Sequence, residues 1–133
     1  MVRATQGEAP YRVDIVAGGH ALVGDEGPGL GGQDAGPAPF DLVLSGLAAC
    51  TLITLRMYAE RKGWTEVKVS GQLRHRFVDG QHLIDRRLEV SGAPDEAAVQ
   101  RLSEIAERTP VTLALKAGFT ISTQLTQAAG SST

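Results

Sequence analysis

Between Pro39 and Lys62 the sequence reads as one long helix whose first half is apolar on nearly every side. Leu42, Val43, Leu44, Leu47, Ala48, Ala49, Leu52, Ile53 and Leu55 leave no polar stripe. Pro39 suits the first turn and Asp41 complements its positive end. Arg61 and Lys62 complement the negative end, and Gly63 can supply a left-handed cap. A helix of this kind has to be wrapped by a sheet or by a partner chain. The apolar run from Leu42 to Leu55 is shorter than the roughly 20 residues that cross a bilayer. Asp41 and Arg56 flank it, so it is expected to be a core helix and not a membrane anchor.

The rest of the chain supplies the wrapping. Tyr11 to Val16 alternates Tyr11, Val13 and Ile15 with Arg12 and Asp14, the period of a half-buried strand. Gly18 and Gly19 punctuate it, and His20 to Val23 can return as a second strand. Gly24 to Pro39 is rich in Gly and Pro and reads as turns, edge strand or loop; loops of that length in small domains are often functional. Val67 to Val90 reads as a hairpin about Asp79-Gly80, a strong two-residue turn signal. With that turn, Val78 faces Gln81 and Arg74 lies opposite Asp85. Val69, Leu73, His75 and Phe77 then share the core face with His82, Ile84, Arg86, Leu88 and Val90.

Pro94, Asp95 and Glu96 open a second helix, which has to end before Pro110. Thr109 is placed to cap a short helix from Pro110 to Lys116, closed by Gly118. Phe119 to Leu125 alternates as a last strand, and Gln127 to Thr133 is expected to be flexible. The expected fold class is therefore α+β, in a single domain with an ordered core from about residue 11 to residue 125. The 133 residues suffice for one core.

Composition narrows the function classes. A net charge of -2, with no basic run carrying interleaved aromatics, argues against nucleic acid as a partner. Met1 to Pro10 has no apolar stretch of the kind that directs export, and a lone cysteine forms no internal disulfide, so a cytoplasmic location is expected. One Cys and three His, scattered over different elements, have no zinc-ligand spacing, so no metal is expected. Gly31-Gly32 lacks the spacing and Lys of a phosphate loop. What remains is Cys50 on the apolar helix, which is either a small hydrophobe or a nucleophile.

Several blocks together give a resemblance that covers residues from about Tyr11 to Leu125. They are Gly18-Gly19-His20, Leu30-Gly31-Gly32-Gln33-Asp34-Ala35-Gly36-Pro37, Leu47-Ala48-Ala49-Cys50-Thr51, Leu55-Arg56-Met57-Tyr58-Ala59-Glu60-Arg61-Lys62 and Thr109-Pro110-Val111-Thr112-Leu113. In these the chain resembles the osmotically inducible, organic-hydroperoxide-resistance (OsmC/Ohr) family, and within it the broader OsmC-like branch. The resemblance implies an OsmC-like fold: an antiparallel sheet packed with a long central helix and a second helical segment, in an intertwined homodimer. It also implies a part in the oxidative stress response, in which a peroxidatic thiolate, here Cys50, attacks the O–O bond of an organic hydroperoxide.

In the reductases of that family an Arg follows the Gly-Gly pair and lowers the thiol pKa, a Glu after a proline orients that Arg, and a second Cys resolves the sulfenic acid. The corresponding positions here are His20, Phe40 with Asp41 beside it, and Thr109. A thiol whose unperturbed pKa is about 8.5 needs a nearby cation or helix N-terminus to ionise at neutral pH. His20 supplies a charge only when protonated. Thr109 cannot attack a sulfenic acid, so the implied cycle uses one cysteine and an external thiol reductant, with no cofactor. Leu44, Leu47 and Phe77, with Phe40, are expected to offer apolar pocket walls. The alternative is a non-catalytic dimer that binds a small apolar ligand.

Overall fold

A computed structural model describes residues 1–129, and its element order is β1 (Val2–Gln6), β2 (Val13–Ala17), β3 (His20–Gly24), α1 (Pro39–Arg61), β4 (Lys68–Val78), β5 (Gln81–Ser91), α2 (Glu96–Ala106) and α3 (Pro110–Ala117). The fold is α+β, as the residue patterns predict. Its strands form two separate antiparallel sheets: a meander of β1, β2 and β3, and the two-stranded hairpin of β4 and β5.

α1 begins with Pro39 in its first turn and Asp41 beside its free N–H groups. It ends with Arg61 in its last turn, Lys62 as the cap and Gly63 at φ 75°. Taken alone, its 23 residues are long and apolar enough to cross a membrane. In the fold it is the central helix, in contact with β4, α2 and α3. Leu55 and Ala59 of α1 meet Val67, Leu102 and Ala106 in the buried core, with Trp64, Val69, Leu88 and Val90 packed around them.

The hairpin has the register that Asp79-Gly80 dictates. Val78 pairs with Gln81 and Arg74 with Asp85, and both turn residues take positive φ. The ion pair across the hairpin is diagonal, however. Asp85 accepts at both oxygens from Arg76, its diagonal neighbour on the same face of the hairpin. α2 starts at the cap Asp95, whose side chain accepts from the Ala98 N–H at 2.8 Å. α3 starts at Thr109, whose hydroxyl accepts from the Thr112 N–H at 3.3 Å.

Two segments differ from the sequence expectation. Val2–Gln6 is a strand, paired from Val2↔Ala17 to Gln6↔Val13, although all five residues are exposed and so carry no apolar alternation on which to recognise it. Residues 119–125, expected as a last strand, have no strand structure, and Phe119, Ile121 and Leu125 are exposed. A strand exists only with a ladder partner, and among the described residues this segment is in neither sheet. Of the end expected to be flexible, residues 130–133 lie outside the described residues.

The Gly- and Pro-rich connection after β3 is an ordered loop built on one carboxylate. Asp25, 3% exposed, accepts from the backbone N–H of Glu26 (2.8 Å), Gln33 (3.4 Å) and Ala35 (3.1 Å). Its own N–H donates to the Pro37 carbonyl at 3.2 Å. The glycines are needed for close approach: a Cβ on Gly32 would overlap the Glu26 carbonyl, and one on Gly36 the Val23 carbonyl. The Ala35 N–H first, then those of Glu26 and Gln33 and the charge of Arg12, outweigh burial and hold the Asp25 carboxyl below its ordinary 3.8.

This shift has a definite sign. Between the depressed folded value and 3.8 the unfolded chain binds more protons. The stabilisation is therefore complete above 3.8 and lost as the pH falls through the folded value. We predict that Asp25→Asn lowers the thermal midpoint at pH 7, and that the gap to wild type narrows as unfolding is followed by circular dichroism down to pH 3.

Candidate functional site

Cys50 lies midway along α1, part-buried, one turn before Thr54 and next to Thr51. The start of α3 is aimed at its sulfur: the Val111 N–H, one of the first-turn donors without an intrahelical acceptor, donates to Sγ at 3.5 Å. Thr54 Oγ1 is 4.0 Å from the same sulfur. Burial pushes the thiol up. The Val111 N–H, the Thr109 and Thr54 hydroxyls and the charge of Arg86 together outweigh it, so the thiol ionises below its ordinary value.

Behind the cysteine is a buried polar junction where four elements meet. Arg86 of β5 has a side chain only 11% exposed. One of its terminal nitrogens donates to Thr51 Oγ1 of α1 (2.9 Å) and Thr112 Oγ1 of α3 (2.8 Å), and the other to the carbonyl of Ala106 at the end of α2 (2.9 Å). Glu107 Oε1 is 3.8 Å from the same guanidinium. Thr51 and Thr109 are 0% exposed and fully bonded: Thr51 donates back to the Leu47 carbonyl at 2.7 Å, and the Thr109 and Thr112 hydroxyls are 2.6 Å apart. Among the described residues no buried side-chain polar atom is left without a partner.

The other expected site residues fall in different places. His20 is exposed at the first position of β3, paired with Ala17 in the N-terminal sheet, and forms no hydrogen bond with Cys50 among the described residues. Phe40 stacks on His75, with ring centroids 3.8 Å apart and planes at 6°. His75 Nε2 in turn bonds His82 Nδ1 at 2.8 Å, and Phe77 packs on His82. That aromatic cluster joins the start of α1 to the hairpin, and its His82 lines the same cavity as Arg86 and Thr112. Asp41 is exposed in the first turn of α1, where its carbonyl accepts from Ser45 Oγ at 2.7 Å. Leu44 is buried and Phe77 exposed. Leu47 lines a cavity of about 980 Å³ beside β5 and α3, with Leu73, Ile84, Arg86, Thr112 and Leu115; Cys50 is not among its walls.

Arg86 is the site residue whose role the sequence conceals. Its place on a core face marks it as unusual, but its partners come from three other elements. Val111 likewise contributes only its backbone, which leaves no trace in residue identity.

The OsmC-like protein profile matches residues 31–124, well over half of the chain. The chain belongs to the OsmC-like protein family. No curated protein sequence matches it. Solved structures share the OsmC-like fold at low identity. A Psychrobacter arcticus protein named for osmotic stress induction and a detoxification response is 14% identical, with a TM-score of 0.73, covering 84% of this chain and 85% of its own. The OsmC like protein of Mycoplasma pneumoniae is 22% identical, with a TM-score of 0.66 and coverage of 87% and 86%. The organic hydroperoxide resistance protein OhrB of Bacillus subtilis is 23% identical, with a TM-score of 0.57 and coverage of 85% and 87%.

In this OsmC-like chain the thiolate is favoured by folding, and unfolding removes the Val111 N–H from the sulfur. Alkylation of the native protein by iodoacetamide, followed by mass spectrometry across pH, should therefore reach half its plateau rate at a lower pH than alkylation of the urea-unfolded protein.

Proposed function

We propose that this OsmC-like protein reduces organic hydroperoxides with Cys50 as its single redox cysteine and an external thiol as reductant, in a reducing compartment such as the cytoplasm. The observation that carries the reading is the aim of the α3 N-terminus at the Cys50 sulfur, with the Val111 N–H at 3.5 Å. A helix N-terminus favours negative charge, so it favours the thiolate that such a reaction requires. The naming of the Bacillus subtilis neighbour as an organic hydroperoxide resistance protein supports the same chemistry.

The thiolate attacks the terminal oxygen of the hydroperoxide. An S–O bond forms and the O–O bond breaks, the leaving alkoxide takes a proton to become an alcohol, and the sulfur is oxidised by two electrons to a sulfenic acid. One external thiol then displaces water to give a mixed disulfide. A second external thiol releases the Cys50 thiol and leaves as a disulfide. His20, at the position where the reductases carry Arg, acts in this reading only as an auxiliary charge contributed across the dimer.

The working unit is proposed to be a homodimer. Val43, Ile53 and Met57 leave one side of α1 exposed, and the apolar residues of 119–125 lie exposed on a segment without a ladder. A second copy that exchanges this segment would cover both. Sedimentation velocity at micromolar concentration should show a dimer, and a chain ending at Gly118 should sediment as a monomer or fail to fold.

Two variants test the chemistry. Cys50→Ser should abolish reduction of cumene hydroperoxide by dithiothreitol. Thr109→Cys should cost about 1 kcal/mol in lost capping and, on treatment with the hydroperoxide, form a disulfide with Cys50 that mass spectrometry detects. A second reading, a non-catalytic ligand binder, is favoured by one observation: Cys50 does not line the 980 Å³ cavity, although the Arg74, Asp85, Arg87 and Lys116 in its walls suit a polar ligand better than the apolar one first expected. Wild-type Cys50 that stays unoxidised under excess cumene hydroperoxide would decide for that reading.

A further inference from the structure

We propose that the cavity between the hairpin and α3 is a binding site for a small organic anion, with an acidic head and an apolar body. The inference stands whether or not Cys50 reacts with hydroperoxides, since Cys50 is not among the cavity's walls. At about 980 Å³ the cavity has room to enclose a small molecule. Its apolar walls are Leu47 of α1, Leu73 and Ile84 of the hairpin, and Leu115 of α3. Charged residues alternate with these along the strands. The cavity therefore has an apolar floor on the core face of the hairpin and a charged rim that includes the exposed Arg74, Asp85 and Arg87.

The charges at this site do not cancel. Four cations, Arg74, Arg86, Arg87 and Lys116, line the cavity with two carboxylates, Asp85 and Glu107. Both carboxylates are engaged already. Asp85 accepts at both oxygens from Arg76, a further cation outside the walls, although Arg74 is the residue opposite it in the register. Glu107 bonds Lys116 at 2.6 Å. Among the described residues Arg74 and Arg87 form no ion pair, so the rim keeps an excess of positive charge.

Arg86 supplies the recognition group. Both hydrogens of one terminal nitrogen go to Thr51 and Thr112, and the other terminal nitrogen donates to the Ala106 carbonyl. Its Nε hydrogen and the last terminal hydrogen form no hydrogen bond among the described residues, and Glu107 Oε1 stands 3.8 Å away, beyond hydrogen-bond reach. A guanidinium 11% exposed, with unspent donors and no bonded carboxylate, matches the paired oxygens of an acidic head. Carboxylate and phosphate share that acceptor chemistry. The apolar body would cover Leu47, Ile84 and Leu115, while Arg74 and Arg87 raise the local concentration of anions at the rim.

The test is isothermal titration calorimetry of the full chain at neutral pH with phenylbutyrate, phenyl phosphate and the neutral phenylbutanamide. At least one anion should bind saturably and about tenfold or more tighter than the amide. The tighter anion identifies the head as carboxylate or phosphate. Added salt should weaken the anion and leave the amide unchanged. Arg86→Met should bring the anion to the affinity of the amide, and Arg86→Lys should retain only part of the difference, because an ammonium lacks the fork. The double variant Arg74→Gln with Arg87→Gln, at exposed positions, should fold normally and bind the anion several-fold more weakly. Ile84→Trp fills the space between the apolar walls and should weaken anion and amide alike.

Anions that bind no tighter than the amide, or not at all, would overturn the proposal. So would wild-type anion affinity in both Ile84→Trp and the double arginine variant, which would place the ligand elsewhere. Should Arg86→Met not fold, those two variants decide alone. Oxidation of Cys50 by cumene hydroperoxide is followed separately by mass spectrometry, so its failure leaves the anion site standing, and failure of anion binding leaves the peroxidase reading standing.

Discussion

A helix that is apolar on every side has to find cover in all directions, and α1 finds it on part of its circumference. The hairpin, α2 and α3 bury Leu44, Leu47, Thr51, Leu55 and Ala59. The opposite side, with Val43, Ile53 and Met57, stays open. Everything else follows from where that cover is placed. The hairpin supplies an apolar floor at Val69, Leu88 and Val90, while α2 and α3 close the flank. The cysteine sits at the seam between them. Such a seam brings the end of one helix and the beginning of the next against the middle of a third, so carbonyls and N–H groups without intrahelical partners meet in one buried place.

Burying those termini is expensive unless they are satisfied, and Arg86 is the group that satisfies them. Desolvating a guanidinium costs several kcal/mol, and the cost is offset here by neutral acceptors and a helix-end carbonyl more than by a buried counter-ion. Glu107, the nearest carboxylate, is well exposed and also bonded to Lys116. The charge of Arg86 is thus only partly neutralised within the junction. The aromatic cluster of Phe40, His75 and His82 fastens the other end of α1 to the hairpin by stacking, without any comparable buried charge.

Much of this was legible in the residues wherever the information is local. The span of α1, the hairpin register about Asp79-Gly80 and the Thr109 cap are each specified by neighbours within a few positions, and the structure has all three. β1 was not legible because its five exposed residues carry no period, and its pairing with β2 is decided by the backbone. The segment of residues 119–125 misled for the converse reason: alternation marks a segment that can be a strand, but the ladder partner is not in its own sequence. The junction at Cys50 was half legible. Cys50 and Thr109 stand out by their place in family motifs, whereas Arg86 reaches Thr51 and Thr112 across 35 and 26 positions, separations that no local pattern records. His20, singled out by its motif, lies in the N-terminal sheet, outside the recorded hydrogen bonds of Cys50.

The loop centred on Asp25 is closed at its neck. The Asp25 N–H meets the Pro37 carbonyl, so the chain leaves β3 and returns for α1 at nearly the same point. The path from residue 25 to residue 37 is therefore a detour, and its outermost turn, Pro28–Leu30, has no buried residue. Length added at that turn would not be transmitted to the start of α1. In evolutionary and engineering terms, the turn is a site where the protein can gain new sequence, even a short inserted domain, while the register of its central helix stays fixed.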